Sequence, residues 1–286
     1  MSTRDLRGHA LVAMAAMGWG TWSLFFRNAE KLGPLTSYVE GAVMMGVMSL
    51  ATLPVALRSP SPSLRASRLW ITIAVVGLID AMNVLLFFRA MQLTSVAIAV
   101  LSHSVSPVLV ALASPWVAGE PRRWSTLLAA LVAFGGMALL LEPWSSPSAG
   151  ALVGAAYGGA SALFTAANVL GQKRLSSHFS PAQVLSFHGL VSTLVLMLFV
   201  PAGGWSLSLG QWVLLLAGSI GPGAIGGLAF TTGLAKIPAT HASMLVMLEP
   251  CVAVLIGITV WGERLGALGI VGAALVIAGL VVAVRK

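Results

Sequence analysis

Ten long apolar stretches alternate along the chain with short polar clusters. They cover approximately residues 8–28, 36–57, 69–91, 95–118, 123–142, 150–172, 181–201, 209–235, 239–262 and 265–284. A hydrocarbon core about 30 Å thick takes roughly 20 helical residues, so each stretch predicts one membrane-spanning helix. Turn-forming residues punctuate the connections: Gly33-Pro34, the run Ser59-Pro60-Ser61-Pro62-Ser63, Pro121, Ser145-Ser146-Pro147-Ser148, Ser180-Pro181 and Ile237-Pro238. No connection has room for a soluble domain. The expected fold class is an all-α integral membrane protein with ten transmembrane helices.

The pattern also repeats. Pro107 precedes Pro250 by 143 residues, and Gly119-Glu120 precedes Gly262-Glu263 by the same interval, which is half of the 286-residue chain. Gly8-His9-Ala10-Leu11-Val12 is a thinner match to Gly150-Ala151-Leu152-Val153. The expected division is residues 1–143 as a first five-helix repeat, 144–149 as a linker and 150–286 as a second. Five is odd, so the second repeat enters the membrane in the opposite sense to the first. Inverted repeats of this kind place the substrate site of secondary transporters near the bilayer midplane.

Composition agrees with a membrane protein: 58% of residues are hydrophobic and 8% charged, against roughly 25% charged in soluble domains. A net charge of +8 raises the question of nucleic acid, but Lys and Arg sit singly or in pairs between apolar runs rather than clustered on one solvated face. No nucleic-acid partner is expected, and the basic residues report orientation instead. With the N-terminus cytoplasmic, the inside holds Arg4, Arg7, Arg58, Arg65, Arg68, Arg122, Arg123, Lys173, Arg174, Lys236, Arg285 and Lys286, which is 12 of the 16. Only Arg27, Lys31, Arg89 and Arg264 lie outside. This positive-inside bias puts both termini in the cytoplasm. The apolar stretch after Arg7 is read as the first membrane helix, not as a cleavable signal.

These features together resemble the drug/metabolite transporter superfamily, as a ten-helix protein with two EamA-type halves. The resemblance is carried by Pro107 with Gly119-Glu120, by Leu248-Glu249-Pro250 with Gly262-Glu263-Arg264, and by Ala90-Met91-Gln92 and Gly233-Leu234-Ala235-Lys236-Ile237-Pro238-Ala239-Thr240 at the ends of helices 3 and 8. It spans nearly the whole chain. More finely, Trp19 in GWGTWS, with Asp80 and Asn83 in IDAMNVLLFFRA, is similar to the YddG-type bacterial amino-acid exporters. That likeness implies export of amino acids, often aromatic ones, across the bacterial inner membrane.

The residues themselves suggest a pathway rather than a reaction centre. His9, His103, His178, His188 and His241 show no metal-binding spacing, no serine lies in a GxSxG elbow, and the lone Cys251 excludes a CxxC site. No metal, cofactor or enzymatic activity is expected. A charged side chain within a span costs at least about 2.5 kcal/mol on insertion scales and should face the bundle interior. Asp80 is the clearest case, sharing a helix face with Asn83 and Phe87. It reads either as a cavity or relay position or as a polar group tied to a neighbouring helix. Tyr157, Ser161, Phe164 and Asn168 form a second polar-aromatic stripe on helix 6, and Trp19, Trp22, Ser23 and Phe26 a comparable one on helix 1. Trp70, Trp116, Trp124, Trp205 and Trp212 fit interfacial anchors.

On helix 4, Ser102, His103 and Ser106 precede the kink expected at Pro107, while Met247 and Glu249 flank the one at Pro250. A hydrogen-bonded core role remains the simpler reading of His103. His188 lies well inside helix 7, whereas Glu40 and His241 are expected at the membrane surface. Glu120 and Glu263 are expected to cap loop turns or to pair there with Arg122 and Arg264. Gly221, Pro222 and Gly223 make helix 8 a candidate hinge. The expected function is alternating-access export of amino acids by a monomer, with small-molecule substrates and membrane lipid as its partners. Alternatives are a proton-coupled exporter of cationic drugs or other small metabolites, and a membrane scaffold or intramembrane enzyme.

Overall fold

A computed structural model describes residues 3–62, 66–145, 150–262 and 264–285. Glu263 of the repeated pair and most of the 144–149 linker lie outside the described residues. Every regular element within them is helical, as spanning a bilayer demands of a chain that must satisfy its backbone hydrogen bonds internally. Eight segments are long and apolar enough to cross a membrane. They are α3 (Ser37–Arg58), α4 (Ser67–Leu93), α5 with α6 (Val96–His103, Ser106–Val117), α7 (Trp124–Leu141), α8 (Ala151–Leu175), α10 with α11 (Leu209–Gly218, Gly226–Leu234), α12 with α13 (Ala239–Val246, Leu248–Trp261) and α14 (Ala267–Arg285). A shorter helix, α9 (Pro181–Met197), has 17 residues, about 25 Å at a rise of 1.5 Å each.

The first expected span is not continuous. α1 (Thr3–Gly20) ends, and α2 (Ser23–Lys31) begins after a turn at Thr21 and Trp22. The Thr21 hydroxyl donates to the Gly18 carbonyl at 2.6 Å, and its backbone N–H goes to the same oxygen at 3.0 Å. That local bonding competes with the i→i−4 ladder. The chain therefore still forms five segments in each half, but the first is broken.

The 143-residue repeat has a counterpart in backbone shape. α5 stops at His103 and α6 starts at Ser106, while α12 stops at Val246 and α13 starts at Leu248. Pro107 and Pro250 each fall in the first turn of the second piece, where a missing N–H costs no helical bond. Gly119 and Gly262 follow α6 and α13 with φ of 67° and 70°, the left-handed stop that glycine adopts without a Cβ clash.

Helix starts are fixed by their own residues. Ser180 and Ser208 form capping boxes with Gln183 and Gln211. The same glutamines hold loops far earlier in the chain: Gln183 Nε2 donates to Ser59 O at 3.0 Å and Ser61 Oγ at 2.8 Å, and Gln211 Nε2 to Gly33 O at 3.2 Å.

The helices condense into two compact units that do not follow the halves of the sequence. One comprises Met1–Ala81 with Gly171–Ile237, the other Met82–Leu170 with Pro238–Lys286. In the first, α3 packs along α9, α1 against α11 and α2 against α10. Its core includes Ala29, Val39, Val43 and Leu215, and a second cluster of Ile73, Val76, Phe179 and Val184. In the other, α7 packs along α14 and α6 against α12.

Candidate functional site

The polar residues expected to mark a pathway fall into two clusters, one in each unit. In the first unit Asp80 is buried on α4, and His188, 3% exposed, meets it from α9 with Nε2 3.6 Å from Oδ2. The other ring nitrogen of His188 bonds the Val184 carbonyl one turn back. A carbonyl only accepts, so Nδ1 carries a proton and Nε2 is left to face the carboxylate. Ser192 Oγ lies 2.8 Å from Gly77 O and 3.2 Å from Asp80 Oδ2. The approach of α4 to α9 depends on Gly77, where a Cβ would stand 2.5 Å from the His188 carbonyl oxygen. Buried ionisable side chains are tolerable when each has hydrogen-bonding partners, as Asp80 has in Ser192 and His188 in the Val184 carbonyl.

Trp19 lies in the same unit, at the end of α1. Its ring is 5.2 Å from Phe230 and stacks at 6.0 Å on Trp22, which stacks in turn on Phe26 at 6.1 Å. Opposite them, Ser219–Ile225 is π-helical and contains Gly221, Pro222 and Gly223. Pro222 cannot donate a helical bond, and the ladder widens there until Gly226 N–H reaches back to Gly221 O. Gly226 is also where the indole fits: a Cβ on it would lie 3.0 Å from Trp19 Nε1.

In the second unit Asn83 is the hub. Its Oδ1 accepts from Ser161 Oγ and from Thr165 Oγ1, both at 2.7 Å, and His103 Nδ1 lies 2.9 Å from Ser161 Oγ. Ser161 has one hydroxyl proton. Given to Asn83, it leaves His103 Nδ1–H as donor to Ser161, an assignment that follows from counting protons in the network. The His103 ring sits 4.8 Å from Phe87. Ser102 turns its hydroxyl onto Ile98 O of its own helix at 2.8 Å, while Ser106 is buried in the first turn of α6. On α8, Asn168 is buried and Tyr157 and Phe164 half-buried. Met247 is buried at the α12–α13 break, and Glu249 is half-buried beside it.

Several sequence expectations need correction. Glu40 and His241 are not at a solvated surface but 8% and 9% exposed, because neighbouring helices cover the ends of their own. Of the two roles expected of Glu120, the structure shows a cap and not a pair with Arg122. Its carboxylate accepts from the Ala239 N–H, the Thr240 N–H at 3.3 Å and Thr240 Oγ1 at 3.1 Å, so it caps α12, where anions are favoured. Arg122 lies over the Trp124 ring at 4.7 Å and Trp116 at 5.8 Å. Trp70 is no simple anchor, since it packs against Phe179 at 5.2 Å and Phe187 at 5.6 Å. Ser192 and Thr165 escaped the sequence reading. Each follows an expected residue, His188 or Ser161, by four positions, and that spacing was the available signal.

The arrangement offers an ionisable pair in one unit and a neutral donor–acceptor network in the other. Among the described residues no three His, Cys, Asp or Glu side chains gather as metal ligands.

Comparison with known proteins bears on this directly. The model of the EamA-like transporter family matches twice, at residues 6–142 and 152–285. A protein of Archaeoglobus fulgidus described as an uncharacterized transporter is 29% identical over 280 residues, 98% of this chain and 97% of its own. A crystal structure of a protein that is 20% identical covers 96% of both chains with a TM-score of 0.77, a likeness of fold.

Proposed function

The chain belongs to the EamA-like transporter family and is a multi-pass membrane transporter; from that premise we propose that it exports amino acids, apolar and aromatic ones foremost, across the bacterial inner membrane by alternating access. The observation that carries this reading is Asp80, a carboxylate buried inside a span with His188 and Ser192 as its partners. A substrate ammonium can take the place of His188 beside that carboxylate and pair with it. Trp19, Trp22 and Phe230 supply apolar surface in the same unit. The similarity of GWGTWS and IDAMNVLLFFRA to YddG-type exporters supports the same class. Phosphorylated cargo would call for buried cations, but Arg89 is exposed and bonded to Gln92, and Lys236, just past the end of α11, reaches the Thr232 carbonyl. The protein acts as a monomer with both termini cytoplasmic.

A second reading, proton-coupled export of cationic drugs, draws on the same carboxylate, because a carboxylate inside a span can take either a proton or a cation. Uptake into liposomes carrying the full chain, with and without a pH gradient, separates the two. The first reading expects amino acids to cross faster than into empty vesicles. Transport of quaternary ammonium compounds alone favours the second, and transport of neither class sinks both.

A further inference from the structure

Four polar atoms of the first unit are buried and meet no hydrogen-bonding protein partner: Nε1 of Trp19, Nε1 of Trp22, Oγ of Ser23 and Oγ of Ser219. They belong to two irregularities that face each other. Trp19, Trp22 and Ser23 flank the break between α1 and α2, and Ser219 opens the π-helical segment. The contact between the two is close: a Cβ on Gly218 would be 2.9 Å from Phe25 Cβ, and one on Gly18 3.9 Å from Pro222 Cα. A buried polar group left unbonded costs about 1–3 kcal/mol, and folded proteins leave few of them. Four such atoms border the contact between two places where the helices are themselves interrupted.

The chemistry of these atoms selects the ligand. An indole N–H only donates, and a serine hydroxyl can donate, so the seam presents four donors. An ammonium group, itself a donor, satisfies none of the indoles. An ionised carboxylate offers two oxygens with about four acceptor positions, and hydrogen bonds to a charged acceptor are the stronger kind. The stacked rings of Trp19, Trp22 and Phe26, with Phe230 beside Trp19, provide the apolar wall for whatever the carboxylate carries. We propose that the seam formed by Trp19, Trp22, Ser23 and Ser219 is a carboxylate-binding site. Only the further step, that the carboxylate is that of the transported amino acid, rests on the function proposed above.

The indole protons themselves provide the test. The full chain is labelled with ¹⁵N-tryptophan in lipid nanodiscs, and the Trp19 and Trp22 resonances are assigned from Trp19→Phe and Trp22→Phe, which remove the N–H and keep a ring. The sample is titrated with phenylalanine, with 3-phenylpropionate, which lacks the ammonium, and with phenethylamine, which lacks the carboxylate. The expected result is a downfield indole-proton shift with both carboxylates and none with phenethylamine. In liposomes, each Trp→Phe variant should raise the KM for phenylalanine roughly tenfold, the order expected from losing one bond to a charged group. Equal shifts with phenethylamine overturn the carboxylate assignment, and no shift with any probe overturns the site. If amino acids are transported while neither indole moves, this site falls and the transport reading stands. If 3-phenylpropionate moves both indoles but no amino acid binds or crosses, the site stands and the amino-acid reading falls.

Discussion

Asp80 and His188 each make the other tolerable inside the membrane, and that mutual dependence sets what their substitution will do. Asp80→Ala leaves the imidazole facing an apolar gap and should lower stability by about 3–5 kcal/mol, the usual penalty for breaking a buried pair from one side. Replacing both, as Asp80→Leu with His188→Leu, should recover most of the thermal stability in detergent yet no uptake in liposomes. Recovery of both would make the pair a packing device. Asp80 was legible in the sequence because a charge in an apolar run has no bland neighbours. Ser192 and Thr165 were not, because a hydroxyl in a helix commonly bonds its own i−4 carbonyl, as Ser102 does with Ile98. Nothing local separates that serine from one that reaches across. Glu40 and His241 were misread for a related reason: nearness to a span's end speaks of the surface only when no other helix covers that end.

Interrupted helices show the same division. The breaks near Pro107 and Pro250 were legible because proline has a definite backbone consequence. The break at Thr21 was hidden, since Gly18, Gly20 and Thr21 are all accepted within continuous membrane helices and the outcome turned on one hydroxyl. The widening of the ladder around Pro222 fell in between: the cluster suggested bending, and the chain met it with a π-helical segment. Glu120 shows an element held from a distance in sequence, 119 residues before the first amide it caps. Glu120→Ala should loosen the start of α12 at a cost of about 0.5–2 kcal/mol. Faster hydrogen exchange at Ala239 and Thr240, with no change near Ala151 at the start of α8, is the expected observation. Uniform loosening of both helices would remove the cap from the explanation.

For the molecule as a whole, the 16 basic residues make a statement about sidedness that single-cysteine labelling can check. In a Cys251→Ala background, a cysteine at the exposed Ser177, between α8 and α9, should react from the cytoplasmic side. One at the exposed Ser206, between α9 and α10, should react only from the other. Labelling of both from one face would invalidate the assignment. The tenfold division and the 143-residue repeat could be read from hydropathy and spacing alone. How the helices group could not, because a repeat records which segments correspond and says nothing of which ones touch.

That grouping constrains how the protein is made. A ribosome that has just finished residue 143 has delivered every segment of the first half but neither compact unit, since one still awaits Gly171–Ile237 and the other Pro238–Lys286. Early helices must therefore wait in the lipid or the translocon for partners not yet synthesised, exposing meanwhile the faces they will later bury. Residues 1–143 expressed alone should be degraded rapidly, whereas co-expression with residues 150–286 should protect both pieces, as pulse-chase labelling in membranes would register. A nascent chain arrested beyond Ile237 is the first to contain all of one unit, and resistance to protease should rise at that length rather than at the midpoint.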